Sequence, residues 1–198
     1  MPLLQTEESY KQRYPQSIMA RTEGLRAPNY VEIDHTIYQE KVFPPGLFAG
    51  TTPSPNKYRF LPRTKFVSLT GSIMTVNRWT ANVFVPGDVI TVIDLTTGDA
   101  GAAVGTVANV DPDTDTIIFT APPTAPAPGT VIGVATSKPK TLSGDRLGLI
   151  SPNTIVDFRL RPNSHFGAFL GATVHRRLIP HIDPQLEGLY PQLDFVSP

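Results

Sequence analysis

Short runs of β-forming residues alternate with turn residues from Val83 to Thr136, and this spacing constrains the fold more than any other feature of the chain. The runs consist largely of Val, Ile, Thr and Phe. They are interrupted at Pro86-Gly87-Asp88, Thr97-Gly98-Asp99 and Asp111-Pro112-Asp113. Such runs between such turns are typical of short antiparallel strands. The pattern predicts a small β-barrel or sandwich of the SH3-like or tulip-like kind.

The whole chain is predicted to be all-β and to fall into three parts. Residues 1–60 form an extended arm with a short strand around Val31 and Ile33, residues 61–137 form the β-barrel-like module, and residues 138–198 form further strands and an apolar C-terminal arm. The predicted strands are Phe66–Leu69, Ile73–Val76, Val83–Val85, Val89–Leu95, Gly101–Val110, Thr116–Thr120, Val131–Ala135, Arg146–Ile150, Thr154–Leu160 and Phe166–Leu178.

Both arms combine proline with large apolar side chains. The chain has 21 prolines, about twice the usual share of ~5%, and proline disfavours long helices. Glu7–Ala20 could form a short amphipathic helix that Pro15 interrupts, and residues 1–29 are either a partly ordered tail or an arm that orders on a partner. The large apolar residues of the arms lack a regular period, so they must pack on the rest of the chain or on a neighbouring subunit. The predicted contact residues are Phe43, Leu47, Phe48, Tyr58 and Phe60 in the first arm, and Leu189, Tyr190 and Phe195 in the second.

The chain has no net charge, but its charged residues are unevenly distributed. There are 17 basic and 17 acidic residues, and neither Lys nor Arg lies between Arg78 and Lys138. A nucleic-acid-binding protein usually has a basic surplus or a basic stripe, so we expect no nucleic-acid partner. The flanks carry four arginines that are candidates for salt bridges between subunits, the alternative being solvated surface positions. These are Arg159, Arg161, Arg176 and Arg177.

No motif for catalysis or metal binding is complete. Asp111, Asp113 and Asp115 resemble the start of a calcium loop, but Thr116 and Pro122 stand where such a loop needs Gly and Glu. Ser137 and Lys140 have the spacing of a serine acylase, but Pro139 excludes the helix that this chemistry requires. The four histidines lack ligand spacing and there is no cysteine. We therefore expect no enzyme activity, no metal and no cofactor.

Targeting signals are also lacking. The N-terminus carries charges too early for a signal peptide, and no apolar run reaches the roughly 18 residues of a transmembrane helix. We expect a soluble protein that is made in a cytoplasm and has no membrane partner.

Several segments resemble tailed-phage virion proteins. The central pieces FVPGDVI, GTVANVD and TIIFTAP, and the preceding VFPPGLFAG and YRFLPRTKFV, are similar to modules of capsid decoration (cement) proteins of phages and cyanophages, over residues 42–136. The resemblance implies a virion protein on the capsid surface, made in the host cytoplasm, that binds the major capsid protein and bridges adjacent capsomers.

Apolar termini favour exchange between copies, so we also expect a homodimer or homotrimer. The alternatives are a tail, baseplate or head–tail connector protein, a nucleic-acid-binding SH3-like module and a small hydrolase.

Overall fold

The structure, a computed structural model, describes residues 19–26, 31–38, 41–52, 57–139, 149–150, 156–158, 165–166, 168–189 and 193–196. These residues form mostly β-structure with one short α-helix, which confirms the all-β prediction. The strands are β1 Met19–Arg26, β2 Val31–Glu32, β3 Val42–Phe43, β4 Leu47–Thr51, β5 Tyr58–Phe60, β6 Arg63–Thr70, β7 Ile73–Val76, β8 Val89–Ile93, β9 Ala100–Asp111, β10 Thr116–Phe119, β11 Val131–Val134, β12 Leu149–Ile150, β13 Val156–Asp157, β14 His165–Phe166, β15 Ala168–His175 and β16 Leu193–Val196. Helix α1 is Pro184–Gly188, and 3-10 turns occur at His35–Ile37, Ala81–Val83 and Arg176–Leu178.

Strands β6 to β11 close on themselves as an antiparallel six-stranded sheet, which we call the ring. Its order is β10-β7-β6-β11-β8-β9, and β9 pairs with β10 to complete the circle. Register shifts interrupt the β6–β7, β8–β9 and β9–β10 pairings, so the ring is irregular and is not a regular barrel. The predicted turns lie at its connections, where Gly71, Gly87 and Gly98 have positive φ angles of 60°, 90° and 78°. Glycine adopts such angles without steric cost.

Alternation along the ring strands directs one set of side chains inward. In β10, for example, Ile117 and Phe119 are buried, whereas Thr116 and Ile118 are only partly covered. The interior also includes Met74 and Ile132, which are 0% exposed. Burial of such side chains stabilises the fold by roughly 1.5–3 kcal/mol each.

Six of the remaining strands form a second sheet from segments that are far apart in the chain. Its order is β1-β15-β12-β4-β5, and β16 lies parallel to β15. An aromatic cluster connects this sheet to the smaller β3–β13 pair. Its rings are 4.5–6.4 Å apart between centroids and belong to Tyr38, Phe43, Phe60 and Phe158. The apolar residues of the first arm therefore pack within the same chain.

Three local predictions were wrong. Val83–Val85 is not a strand, because Ala81–Val83 forms a 3-10 turn in which the Asn82 side chain donates to the Val42 carbonyl at 2.6 Å. The strand at Val31 ends at Glu32 and is followed by a 3-10 turn from His35. The C-terminal arm is not wholly extended, because it contains α1.

Two further predictions, one strand and one helix, differ from the structure. Of the predicted strand Phe166–Leu178, Phe166 belongs to β14, Ala168–His175 is β15, and a 3-10 turn begins at Arg176. Of the predicted helix Glu7–Ala20, residues 7–18 lie outside the described part, and Met19 and Ala20 belong to β1.

Candidate partner-binding surface and buried ion pairs

The predicted contact residues of the first arm lie inside the protein. Phe43 and Phe60 are 0% exposed, and Leu47 and Phe48 are also buried. Tyr58 is half-buried in β5. These four side chains pack within the chain and leave little exposed surface, and their part in partner contacts stays a prediction.

The C-terminal candidates are more accessible. Arg176 forms a bidentate ion pair with Glu187 at 2.6 and 2.9 Å, which connects the last 3-10 turn to α1. Arg177 is exposed, and Leu189 is 43% exposed. We call Arg176, Arg177, Glu187 and Leu189 the C-terminal surface. Phe195 is half-buried and packs on a cluster of buried apolar residues that includes Leu186 and Leu193. Arg159, Arg161 and Tyr190 lie outside the described residues.

A buried arginine connects the second sheet to the ring. Arg59 of β5 donates from both terminal nitrogens to the two oxygens of Asp88, at 2.9 and 2.7 Å, and also to the Val83 carbonyl at 3.1 Å. Asp88 in turn accepts from the Val85 N–H at 2.9 Å. Both charged residues are less than a tenth exposed. This ion pair fixes β5 against the segment that leads into β8.

A second buried arginine connects the ring to the C-terminal segment. Arg63, at the start of β6, donates to Asp183 at 3.3 Å and to the Gln185 side chain at 2.5 Å. Asp183 also caps α1, because its other oxygen accepts from the Leu186 N–H at 2.9 Å. His181 Nε2 lies 3.1 Å from Asp183 and donates to it, since a carboxylate only accepts. Asp183 is 0% exposed.

Burial and charge set the ionisation of this cluster. Burial alone would raise the pKa of Asp183, but hydrogen bonds from His181 and the Leu186 N–H and the charge of Arg63 outweigh it and lower that pKa. Burial lowers the pKa of His181, and the positive charges of Arg63 and Lys65 add to this, although Asp183 opposes it. At neutral pH the cluster is therefore a charged Arg–Asp pair with a neutral histidine.

Sequence reasoning missed all of these charged partners. Arg63 and Asp183 are 120 positions apart, and no local pattern indicates that they meet. The cap of α1 was detectable, because Asp followed by Pro is a common start of a helix, with Asp as N-cap and Pro at the first helical position. The short length of the helix and the neighbouring prolines obscured that signal.

One small pocket lies between β3 and the ring. Its volume is about 220 Å³, and it is lined by Lys41, Val42, Asn82, Pro86, Asn109, Val110 and Pro112. Burial lowers the pKa of Lys41 to about 8. Its ammonium donates to the Phe84 carbonyl at 3.0 Å, so this cation is already engaged within the chain.

The predicted metal and serine-acylase candidates can be compared with the described residues. Among them, no three His, Asp or Glu side chains are placed to hold a metal ion. The hydroxyl of Ser137 donates to the Thr51 carbonyl at 3.1 Å, and Lys140 lies outside the described part. No helix within the described ranges is long and apolar enough to cross a membrane.

Comparison with known proteins gave no match to a family model, a curated protein or a solved structure.

Proposed function

We propose that this chain is a structural virion protein that binds the major capsid protein and bridges adjacent capsomers on the capsid surface. The resemblance of residues 42–136 to cement-protein modules supports the assignment to the virion. One structural observation supports a mechanical role. The buried ion pairs Arg59–Asp88 and Arg63–Asp183 join segments that are distant in the sequence, as a rigid support requires.

Buried charges are costly unless they are paired and fully hydrogen-bonded. Here Arg59–Asp88 lies at the contact between the ring and the second sheet. Arg63–Asp183 lies at the contact between the ring and the C-terminal segment. Neither pair lines the pocket beside Lys41. This arrangement favours a scaffold that transmits load over a site that performs chemistry.

The C-terminal surface is the part of the predicted contact set that fits a partner. It combines the exposed side chains of Leu189 and Arg177 with the Arg176–Glu187 pair. Arginine is enriched at protein interfaces, where an apolar centre is surrounded by a polar rim. In this proposal the surface contacts the capsid protein or another copy of the chain in a homodimer or homotrimer.

Co-sedimentation with capsids that lack this protein tests the proposal. Point substitutions are preferable to deletion of the C-terminal segment, because Leu186 and Leu193 are buried and their loss would damage the fold. The test variant is Leu189→Ser with Arg177→Gln. The matched control is Val89→Ser, which changes a ring residue that is 48% exposed.

We expect the unchanged protein to bind at a saturating, fixed ratio to capsomers. The test variant should bind roughly ten-fold more weakly, as expected for loss of an interface residue worth about 1.4 kcal/mol, and the control should bind normally. Failure of the unchanged protein to bind intact shells would contradict the cement role and favour a tail, baseplate or connector protein. If the test variant binds capsids as tightly as the control variant, the C-terminal surface is not the contact with the capsid protein.

A further inference from the structure

Two residues other than glycine adopt left-handed backbone conformations, and they contact each other. Within the described residues, Trp79 has a φ angle of 67° and Asp115 has one of 51°. Such an angle is uncommon for any residue with a side chain and is an outlier for a bulky one. Strained residues of this kind cost about 1–3 kcal/mol each and tend to occur at functional sites.

Hydrogen bonds hold this strained turn on every side. Trp79 N–H donates to the Asp115 carboxylate at 2.8 Å, and Val76 N–H donates to the Asp115 carbonyl at 3.0 Å. At the start of the turn, the Asn77 side chain donates to the Pro180 carbonyl at 2.9 Å. At its end, Thr80 donates through both its N–H and its hydroxyl to the Asn77 carbonyl, at 3.3 and 2.5 Å. The turn is therefore rigid, which is the condition under which strain persists.

Arg78 lies on top of this turn. Its guanidinium carbon is 4.0 Å from the centre of the Trp79 ring, which is close contact between the cation and the aromatic face. Trp79 is only 7% exposed, whereas Arg78 is exposed. Stacking fixes the plane of a guanidinium and leaves its in-plane N–H donors available for a carboxylate or phosphate. No described carboxylate forms an ion pair with Arg78.

We propose that Arg78, stacked on Trp79, is an anchor that receives one acidic side chain of the capsid protein through a bidentate ion pair. This inference rests on the proposed function, since it names the chemistry of the partner. Arginine pairs with carboxylates in this geometry, and a side chain already held in place loses little entropy on binding.

A carboxylate fits the surroundings better than a nucleic-acid backbone. Residues 63–136 contain three basic residues (Arg63, Lys65 and Arg78) and six acidic ones, a formal charge of −3. Binding of a polyanion depends on several cations acting together. The net negative charge of residues 63–136 would repel a polyanion. A single carboxylate needs only the local cation, and the Asp115 carboxylate accepts from the Trp79 N–H.

The experiment measures co-sedimentation with capsids that lack this protein, for the unchanged chain and for Arg78→Gln, Arg78→Lys and Lys65→Gln. Lys65→Gln is the matched control, because it removes another exposed cation of the same ring. Thermal unfolding verifies that each variant folds. Fluorescence verifies the turn itself, because Trp79 is the only tryptophan of the chain.

We expect Arg78→Gln to weaken capsid binding at least ten-fold, as for one partner of a hydrogen-bonded charge pair at an interface. Arg78→Lys should restore only part of the loss, because lysine cannot form the planar bidentate contact. Lys65→Gln should change binding less than two-fold. If the unchanged protein binds and Arg78→Gln binds equally well, the anchor is refuted while the capsid role stands. If the unchanged protein does not bind capsids, the proposed function itself fails. A separate assay measures binding to duplex DNA. If the unchanged protein binds DNA and Arg78→Gln does not, the choice of a carboxylate as the ligand of Arg78 is refuted.

Discussion

The ring is antiparallel throughout and the second sheet is antiparallel except for the parallel β15–β16 pair, but the two sheets are built in opposite ways. The ring is made from one continuous stretch, in which five connections join six strands between Arg63 and Val134. The second sheet collects β1, β4, β5, β12, β15 and β16 from both ends of the chain. Its neighbours in space are distant in sequence, as in the pairing of Phe48 with Leu149.

This contrast explains where the buried charges lie. Turns join the strands of three of the six ring pairings, β6–β7, β8–β9 and β9–β10, so local turn and alternation patterns can specify those pairings. The second sheet and the C-terminal segment have no such local guide at their contacts with the ring. Arg59–Asp88 and Arg63–Asp183 lie at those contacts. A buried ion pair tolerates few alternative arrangements, because a misplaced charge would remain unpaired.

The largest effect is expected from Asp88→Ala. It leaves the buried Arg59 without its carboxylate and should lower the free energy of unfolding by about 3–5 kcal/mol. Chemical denaturation followed by Trp79 fluorescence in the ring and by circular dichroism over all strands measures it. Coincident transitions would show that the ring and second sheet unfold together. Retention of ring fluorescence after most of the dichroism is lost would show that they are separable.

The control for that experiment is Lys138→Met, which breaks the exposed Lys138–Asp99 pair. Exposed pairs of this kind contribute about 0–1 kcal/mol. A loss as large as that of Asp88→Ala would contradict the view that burial makes the Arg59 pair important.

A smaller effect is expected inside the ring from Gly133→Ala. A β-carbon at this position would lie 2.9 Å from the Pro62 carbonyl oxygen and 3.2 Å from the Ile93 side chain. Because a backbone atom cannot move aside easily, we expect destabilisation of about 1–3 kcal/mol, measured as a shift of the denaturation midpoint. Gly188→Ala is the control, since nothing lies within 4 Å of the added carbon. Equal stability of the two variants would mean that β11 is less tightly packed than the structure shows.

The smallest effect concerns pH at the contact of the ring with the C-terminal segment. The pKa of His181 is lowered in the folded state, so on acidification the unfolded chain takes up a proton before the folded chain does. The free energy of unfolding should therefore fall as the pH falls below about 6.5, by at most about 1.4 kcal/mol per pH unit. Denaturation curves from pH 7.5 to pH 5 measure this dependence.

His181→Gln should make that dependence flatter, because glutamine does not titrate. The other histidines are common to both proteins and cancel in the comparison. The lowered pKa of Asp183 adds a loss of stability only at more acidic pH, below about 4. An unchanged slope in His181→Gln would show that another group controls the pH response of this contact.

Sequence reasoning performed best where the structure is local. The ring strands were placed within three residues of their observed ends, because β-branched runs and glycine turns act on neighbouring residues. It failed at Ala81–Val83, where a tertiary hydrogen bond from Asn82 to Val42 favours a turn over an extended run. Of the predicted contact residues, Arg177 and Leu189 are exposed, whereas Phe43 and Phe60 are in the core. A Pro-rich apolar segment predicts that its large side chains are buried, but it does not show whether the same chain or a partner buries them.

The all-β class, the position of most ring strands and turns, and the acidic character of the ring are predictable from the sequence, because they depend on composition and on residues near one another. The structure was needed to show that the first arm packs within the chain, that Arg59 and Arg63 pair with carboxylates in distant segments, and that Trp79 takes a left-handed conformation beneath Arg78. Each of these depends on contacts between residues that are far apart along the chain. Burial of side chains and pairing of charges stabilise these contacts, and no local sequence pattern predicts them.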